Sequence, residues 1–143
     1  AYRSLQPHYN LVHRAEFERE LAEVCRAYGL GVIPYSPLAA GFLTGKYRPG
    51  ETPASARLNR ASRYFTPENW NLLDQLEKIG KERGASISQI ALAWLLTNPL
   101  ITSPSIGPRD LDQLADNLGA VGLRLSAAEQ DTLDKASDWK SEN

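Results

Sequence analysis

The sequence predicts an α/β fold built on a parallel sheet, and three observations carry that expectation. Short apolar runs alternate with amphipathic stretches, the pattern of repeated strand-helix units. The run at residues 31–36 is of the kind that a strand buried on both faces shows. The amphipathic stretches begin and end on residues that cap helices.

The elements follow in order. Arg3 to Pro7 reads as the tail of a strand. A helix is predicted over residues 15–28, where Phe17, Leu21, Val24 and Tyr28 recur at helical spacing with Glu and Arg between them. Gly29 and Gly31 stop it. The strand at 31–36 contains Pro34, which donates no ladder hydrogen bond. Residues 37–66 show no clear period. They hold glycines at 41, 45 and 50 and prolines at 37, 49 and 53, which is long for a connection in a compact domain and typical of a functional loop or a disordered one.

Thr66 caps the next helix, with Pro67 at its first position and Trp70, Leu73, Leu76 and Ile79 or Gly80 on its inner face. Gly84 ends it. Ser86 and Gln89 have the spacing of a capping box for a helix over 87–97, whose inner face is Ile90, Ala91, Trp94 and Leu95. Residues 100–106 read as another buried strand and Gly107 to Asp110 as the turn after it. Leu111, Leu114 and Leu118 define a further helix closed by Gly119. Ser126 and Glu129 form a second capping box, for a last helix over 127–136.

Composition bounds the function. Hydrophobic residues make up 42% of the 143, enough for a packed core in a single domain. With 16 basic and 17 acidic residues the net charge is −1, so a nucleic-acid partner is not expected; Arg57, Arg60 and Arg63, the nearest approach to a basic cluster, are separated by neutral residues. The single cysteine, Cys25, permits no internal disulfide and no metal cluster. No apolar run approaches the ~20 residues needed to cross a bilayer, and residues 1–10 do not look like a secretory signal. A cytoplasmic setting is the expectation. The chain has no methionine, which is compatible with a start inside a longer protein.

Parallel strand-helix folds gather ligands at the carboxyl ends of their strands. At the first such end, Tyr35 is followed by Ser36, Pro37, Leu38, Gly41, Leu43, Gly45 and Lys46. An aromatic ring there can stack a planar group, and a turn of small residues lets backbone N–H groups approach phosphate. The same residues also suit a tight loop with a surface lysine. At the second, Ile106, Gly107 and Arg109 lead into a helix carrying Gln113 and Asn117, four residues apart and so on one face. Arg109 offers a planar fork for a phosphomonoester; a surface arginine with two solvated amides is the alternative. His8 and His13, the only histidines, belong to no metal pattern and read as structural or surface residues.

Taken together, these segments resemble the aldo-keto reductases. Gln6-Pro7-His8-Tyr9-Asn10-Leu11, Tyr35-Ser36-Pro37-Leu38 with Gly41 to Tyr47, Ala91-Leu92-Ala93-Trp94, and Ile106-Gly107-Pro108-Arg109 with Gln113 and Asn117 occur in the family's order and at similar spacing, from Ser4 to about Ala136. The resemblance implies a (β/α)8 TIM barrel, of which residues 1–143 are the C-terminal portion with parallel strands and outer helices. It implies an oxidoreductase that reduces carbonyls with NADPH. By the same likeness, Gln6 bonds the nicotinamide amide and Tyr35 stacks on its ring. Ser36, Pro37, Leu38 and Gly41, with Leu43 and Lys46, wrap the pyrophosphate; Ile106 and Gly107 stand beside Arg109, which meets the 2′-phosphate; Gln113 and Asn117 reach the adenine.

The family's catalytic Tyr, Lys, Asp and His come from strands one to four, which have no counterpart here, and a whole barrel needs at least ~200 residues. No catalytic residue is therefore assigned, and the chain alone is expected to be inactive. A small carbonyl compound is the expected substrate of the complete protein. Three strands leave two open sheet edges, so pairing with the remaining barrel or with a second chain is expected. A non-catalytic or regulatory NADP(H)-binding module is the alternative.

Overall fold

The computed structural model describes residues 2–51 and 53–142; Ala1, Thr52 and Asn143 lie outside the described residues. Two short strands, β1 (Ser4–Leu5) and β2 (Gly31–Val32), pair in parallel, with Ser4 opposite Gly31 and Leu5 opposite Val32. The hydrogen bonds continue beyond them: Ile33 N donates to Leu5 O and Tyr35 N to Pro7 O, both at 2.9 Å. On the other side of β2 a third parallel segment joins through the bridges Val32–Ile101 and Tyr35–Ser105. The continuous strand expected over 100–106 is thus reduced to two bridges. Pro34 is one reason: its carbonyl accepts from Ser105 N at 2.8 Å, but it has no N–H to return to that segment.

Helices make up most of the remaining structure. In chain order they are α1 (Ala22–Tyr28), α2 (Leu58–Ala61), α3 (Pro67–Arg83), α4 (Ile87–Thr97), α5 (Leu111–Leu118) and α6 (Ala127–Ala136). The caps fall where the sequence puts them. Thr66 Oγ1 accepts from Asn69 N, and both capping boxes, Ser86 with Gln89 and Ser126 with Glu129, are closed in both directions. α4 is buried on most of its circumference and packs against α3 and α5, while α6 lies along α3.

Two inner faces differ from the periodicity. α1 is entered through a π-helical turn, Phe17–Leu21, in which Ala22 N–H reaches back five residues to Phe17 O. That extra residue advances the helix by about 100°. Cys25 is therefore buried, while Val24 and Tyr28, expected inside, are 46% and 77% exposed. On α5, Leu111 and Leu118 are 80% and 53% exposed; the buried member of that helix is Asn117. Among the described residues nothing covers these two leucines.

The long connection is structured rather than loose. It contains a 3-10 segment, Ala39–Thr44, then α2, then a 3-10 turn, Ser62–Tyr64. Phe42, fully buried, is its anchor. Its ring centroid lies 5.2 Å from Trp70, 5.9 Å from Phe65 and 6.1 Å from Tyr64. Tyr47 extends the cluster, 5.5 Å from Phe65. Such tilted pairs add to the burial of large rings.

A polar network holds the other flank. Arg14 forks onto Glu18 (Nε to Oε1 2.7 Å, Nη2 to Oε2 3.1 Å) and reaches Ser137 Oγ at 2.7 Å and Asp134 at 3.2 Å. Tyr9 Oη and Trp139 Nε1 also donate to Glu18, at 2.9 and 2.8 Å. Burial alone would raise the Glu18 carboxyl, but the hydrogen bonds from Arg14, Trp139 and Tyr9 outweigh it and hold the group below its ordinary value of 4.5.

Two outcomes follow for stability. Phe42→Ala is expected to lower the free energy of unfolding by roughly 3 kcal/mol, read from the urea midpoint. Glu18 is ionised in the fold at pH values where the unfolded chain holds the proton. Its contribution is present above the ordinary value of 4.5 and disappears as pH falls through the lowered one. In Glu18→Gln the urea midpoint should be lower at pH 7, and its loss on acidification should be shallower than in the parent chain.

Candidate functional site

A groove of about 500 Å³ opens at the carboxyl ends of β2 and the third parallel segment, well within the range of small-molecule sites. Tyr35, half exposed, stands on one wall with the turn Ser36, Pro37, Leu38, Ala40, Gly41 and Thr44. Ser105 to Arg109 form the other wall, continued by Gln113, Asp116 and Asn117 of α5. Lys46, Ser55 and Arg57 enter from the long connection.

The turn after Tyr35 has an unusual backbone. Ser36, Ala39 and Ala40 have φ of 55°, 49° and 56°, and Gly41 has 92°. Residues with a Cβ take this left-handed conformation only at a cost. The surroundings impose it: the buried Asn10 amide donates to Ser36 O at 2.9 Å, and Ala39, Phe42 and Leu43 are locked in the core. Gly41 is needed twice over. A Cβ there would stand 3.1 Å from both Cε and Nζ of Lys46, so glycine is what lets the ammonium fold over the turn. Lys46 Nζ lies 4.8 Å from the centre of the Tyr47 ring and donates weakly to Ser55 Oγ at 3.4 Å.

The groove is rich in positive charge. Lys46, Arg57 and Arg109 pair with no carboxylate within 4 Å among the described residues, unlike Arg14, Arg48 and Arg83 elsewhere in the chain. The acid present, Asp116, accepts from Ser86 Oγ at 3.0 Å. Arg57 Nη2 reaches toward Gly107 O at 3.5 Å, so the long connection meets the opposite wall. Among the described residues no group of three or more His, Cys, Asp or Glu side chains could hold a metal ion, and no helix is long and apolar enough to cross a membrane.

The structure brings together nearly all the residues assigned from sequence. Tyr35, Ser36, Pro37, Leu38, Gly41, Lys46, Ile106, Gly107, Arg109, Gln113 and Asn117 share this one groove. Two do not line it. Leu43 is fully buried in the core, so only its backbone is available to a ligand; its apolar side chain packs with the aromatic anchor. Gln6 is exposed at the end of β1, outside the lining. The Gln113 amide is engaged locally, accepting from Arg109 N at 3.1 Å and donating to Asp110 at 2.9 Å. Asp110 in turn caps α5 through Gln113 N. Ser55, Arg57, Ser88 and Asp116 also line the groove and were not assigned. Arg57 stood out only as one of three spaced arginines, with no local pattern tying it to either strand end.

The chain itself is similar to known proteins. A family model described as the aldo/keto reductase family matches residues 2–138. L-glyceraldehyde 3-phosphate reductase of Escherichia coli K12 is 37% identical over 139 residues, 91% of this chain and 40% of that protein. An uncharacterised oxidoreductase of Bacillus subtilis is 39% identical over 121 residues, 84% of this chain and 36% of its own length. A probable voltage-gated potassium channel subunit beta of Oryza sativa is 37% identical over 124 residues, 82% and 38% of the two chains. The chain thus spans about two fifths of the length of these relatives. Matched almost end to end by one family model, the chain belongs to the aldo/keto reductase family of oxidoreductases.

Proposed function

We propose that the chain is the NADP(H)-binding part of an aldo-keto reductase whose complete form reduces aldehydes or ketones. The observation that carries this reading is a single groove with an aromatic platform, Tyr35, and a guanidinium fork, Arg109, among its lining. Lys46 and the left-handed turn at Gly41 share that lining, as a diphosphate bridge requires. The residues fit the cofactor by their chemistry: three cations lack carboxylate partners among the described residues, and glycine clears the space that the ammonium occupies. NADPH bound there would supply the hydride. Tyr35 would hold the nicotinamide face, Ser36 to Gly41 with Lys46 the diphosphate, Arg109 the 2′-phosphate, and Gln113 and Asn117 the adenine. Gln6, just past the end of β1 and outside this lining, would bond the nicotinamide amide.

In this reading the three parallel segments are a sector of a (β/α)8 barrel, and the proton donor for the carbonyl oxygen comes from outside this chain. The exposed Val24 and Tyr28 of α1 and Leu111 and Leu118 of α5 are then faces that the remaining barrel covers, as part of one polypeptide or as a partner chain. A second reading, a nucleotide-binding regulatory module, is favoured by the channel beta subunit among the relatives. An Asp, a Tyr, a Lys and a His at the other strand ends of the complete protein would favour the enzyme, because that reading needs a proton donor.

Fluorescence titration of this chain with NADPH and NADH tests the groove. Arg109→Ala should weaken NADPH binding roughly tenfold and leave NADH nearly unchanged, as loss of one fork on a phosphate predicts. Equal loss for both cofactors, or no binding by either, would overturn the assignment. Gly41→Ala should weaken both cofactors about tenfold by displacing Lys46. Gly50→Ala is the control: it is also left-handed (φ 80°), but a Cβ there meets nothing within 4 Å, so cofactor affinity should hold.

A further inference from the structure

Of the two histidines, without a role in the sequence, His8 lies against the platform and His13 against His8. The His8 ring is 5.0 Å from the Tyr35 ring with 18° between their planes, and His13 is 3.9 Å from His8 at 20°. Three near-parallel rings therefore form a column that ends at the groove. Strand register sets the first contact, since His8 and Tyr35 are bridge partners across the parallel pair. A turn closed by reciprocal bonds between Asn10 and His13 (3.0 and 3.3 Å) brings in the third ring.

His8 is held at its edge as well as on its faces. The buried Asn10 lies with Nδ2 3.4 Å from His8 Nε2, and the Tyr64 hydroxyl lies 3.5 Å from the same atom. Asn10 also fixes Ser36, the residue after the platform. Burial first, then the neighbouring His13 and Arg63, push His8 down to about 4 against the opposing pull of Glu16, so at neutral pH the ring is uncharged and Nε2 can accept from either donor.

A half-exposed tyrosine with a free ring would lose affinity on binding, because the ring must be ordered. A ring already fixed by its neighbours avoids that loss. We infer that His8, buttressed by His13, is a positioning residue for Tyr35: it sets the angle of the platform and so governs the nicotinamide end of a bound dinucleotide, not the phosphate end. The inference rests on the dinucleotide reading of the groove.

The test compares NADPH with 2′,5′-ADP, which carries the adenine and 2′-phosphate but no nicotinamide. His8→Ala should weaken NADPH about fivefold and leave 2′,5′-ADP unchanged. His8→Phe keeps a ring in the column and should restore NADPH to near the parent value. Far-UV circular dichroism and the urea midpoint establish that each variant is folded; if His8→Ala is not, His13→Ala, one ring further from the platform, should show a smaller loss with the same selectivity. Equal weakening of both ligands, an unchanged ratio, or a Phe variant as weak as the Ala variant would each overturn the positioning role while leaving the groove assignment intact. Failure of the parent chain to bind 2′,5′-ADP would instead overturn the groove assignment, and the positioning role with it.

Discussion

Burial of Phe42 is the constraint on which the groove depends. The connection after β2 runs for about thirty residues, and a chain of that length left loose would lose much entropy on ordering. Phe42, Tyr47, Tyr64 and Phe65 pin it to Trp70 on α3 at a few points instead. That pinning sets three things at once. It holds Ala39 and Leu43 inside, which forces the left-handed turn at Ala40 and Gly41 onto the rim. It keeps Lys46 beside Tyr47, facing that turn. And it leads the chain on to Arg57, which reaches the opposite wall at Gly107.

Charge is divided in the same way. Arg14, Arg48 and Arg83 are paired with carboxylates, and Arg14 ties the segment leading into α1 to α6 through Glu18, Asp134 and Ser137. Their role is structural, and the partly buried Arg14–Glu18 pair is worth more than exposed ones because its oxygens are fully hydrogen-bonded. Lys46, Arg57 and Arg109 sit in the groove without such partners among the described residues. An unneutralised trio beside a strained turn raises the local potential, which a polyanionic ligand of the proposed kind would turn into affinity.

Much of this was legible in the sequence because local chemistry decided it. Capping boxes at Ser86 and Ser126, the Thr66 cap with Pro67, and the glycine stop at Gly84 depend on residues three or four apart, and each formed as the pattern required. Most of the groove was legible because its residues follow the ends of two strands directly. What failed was long-range. The π turn at Phe17 shifts the phase of α1 through a local change of backbone hydrogen bonding that leaves no mark on composition. The burial of the Leu43 side chain is not announced by its place in a turn of small residues. Arg57 reaches the groove from a segment without period, and the His8–Tyr35 contact exists only through strand register. Periodicity sees none of these.

The exposed leucines of α5 bear on the groove as well. Asn117 lies in the groove lining, while Leu111 and Leu118 of the same helix are exposed. Asp116 is bound to Ser86 and Gln89 at the start of α4, so one end of α5 is fixed by hydrogen bonds while its apolar side is open to solvent. A segment that covers those leucines buries apolar area and steadies α5. If the groove holds the proposed dinucleotide, whatever stabilises α5, which carries Asn117, would by linkage strengthen that binding, and the ligand would return the effect by the same factor. In the proposed reading, covering those leucines and holding the nucleotide would be one equilibrium, joined by a helix of eight residues.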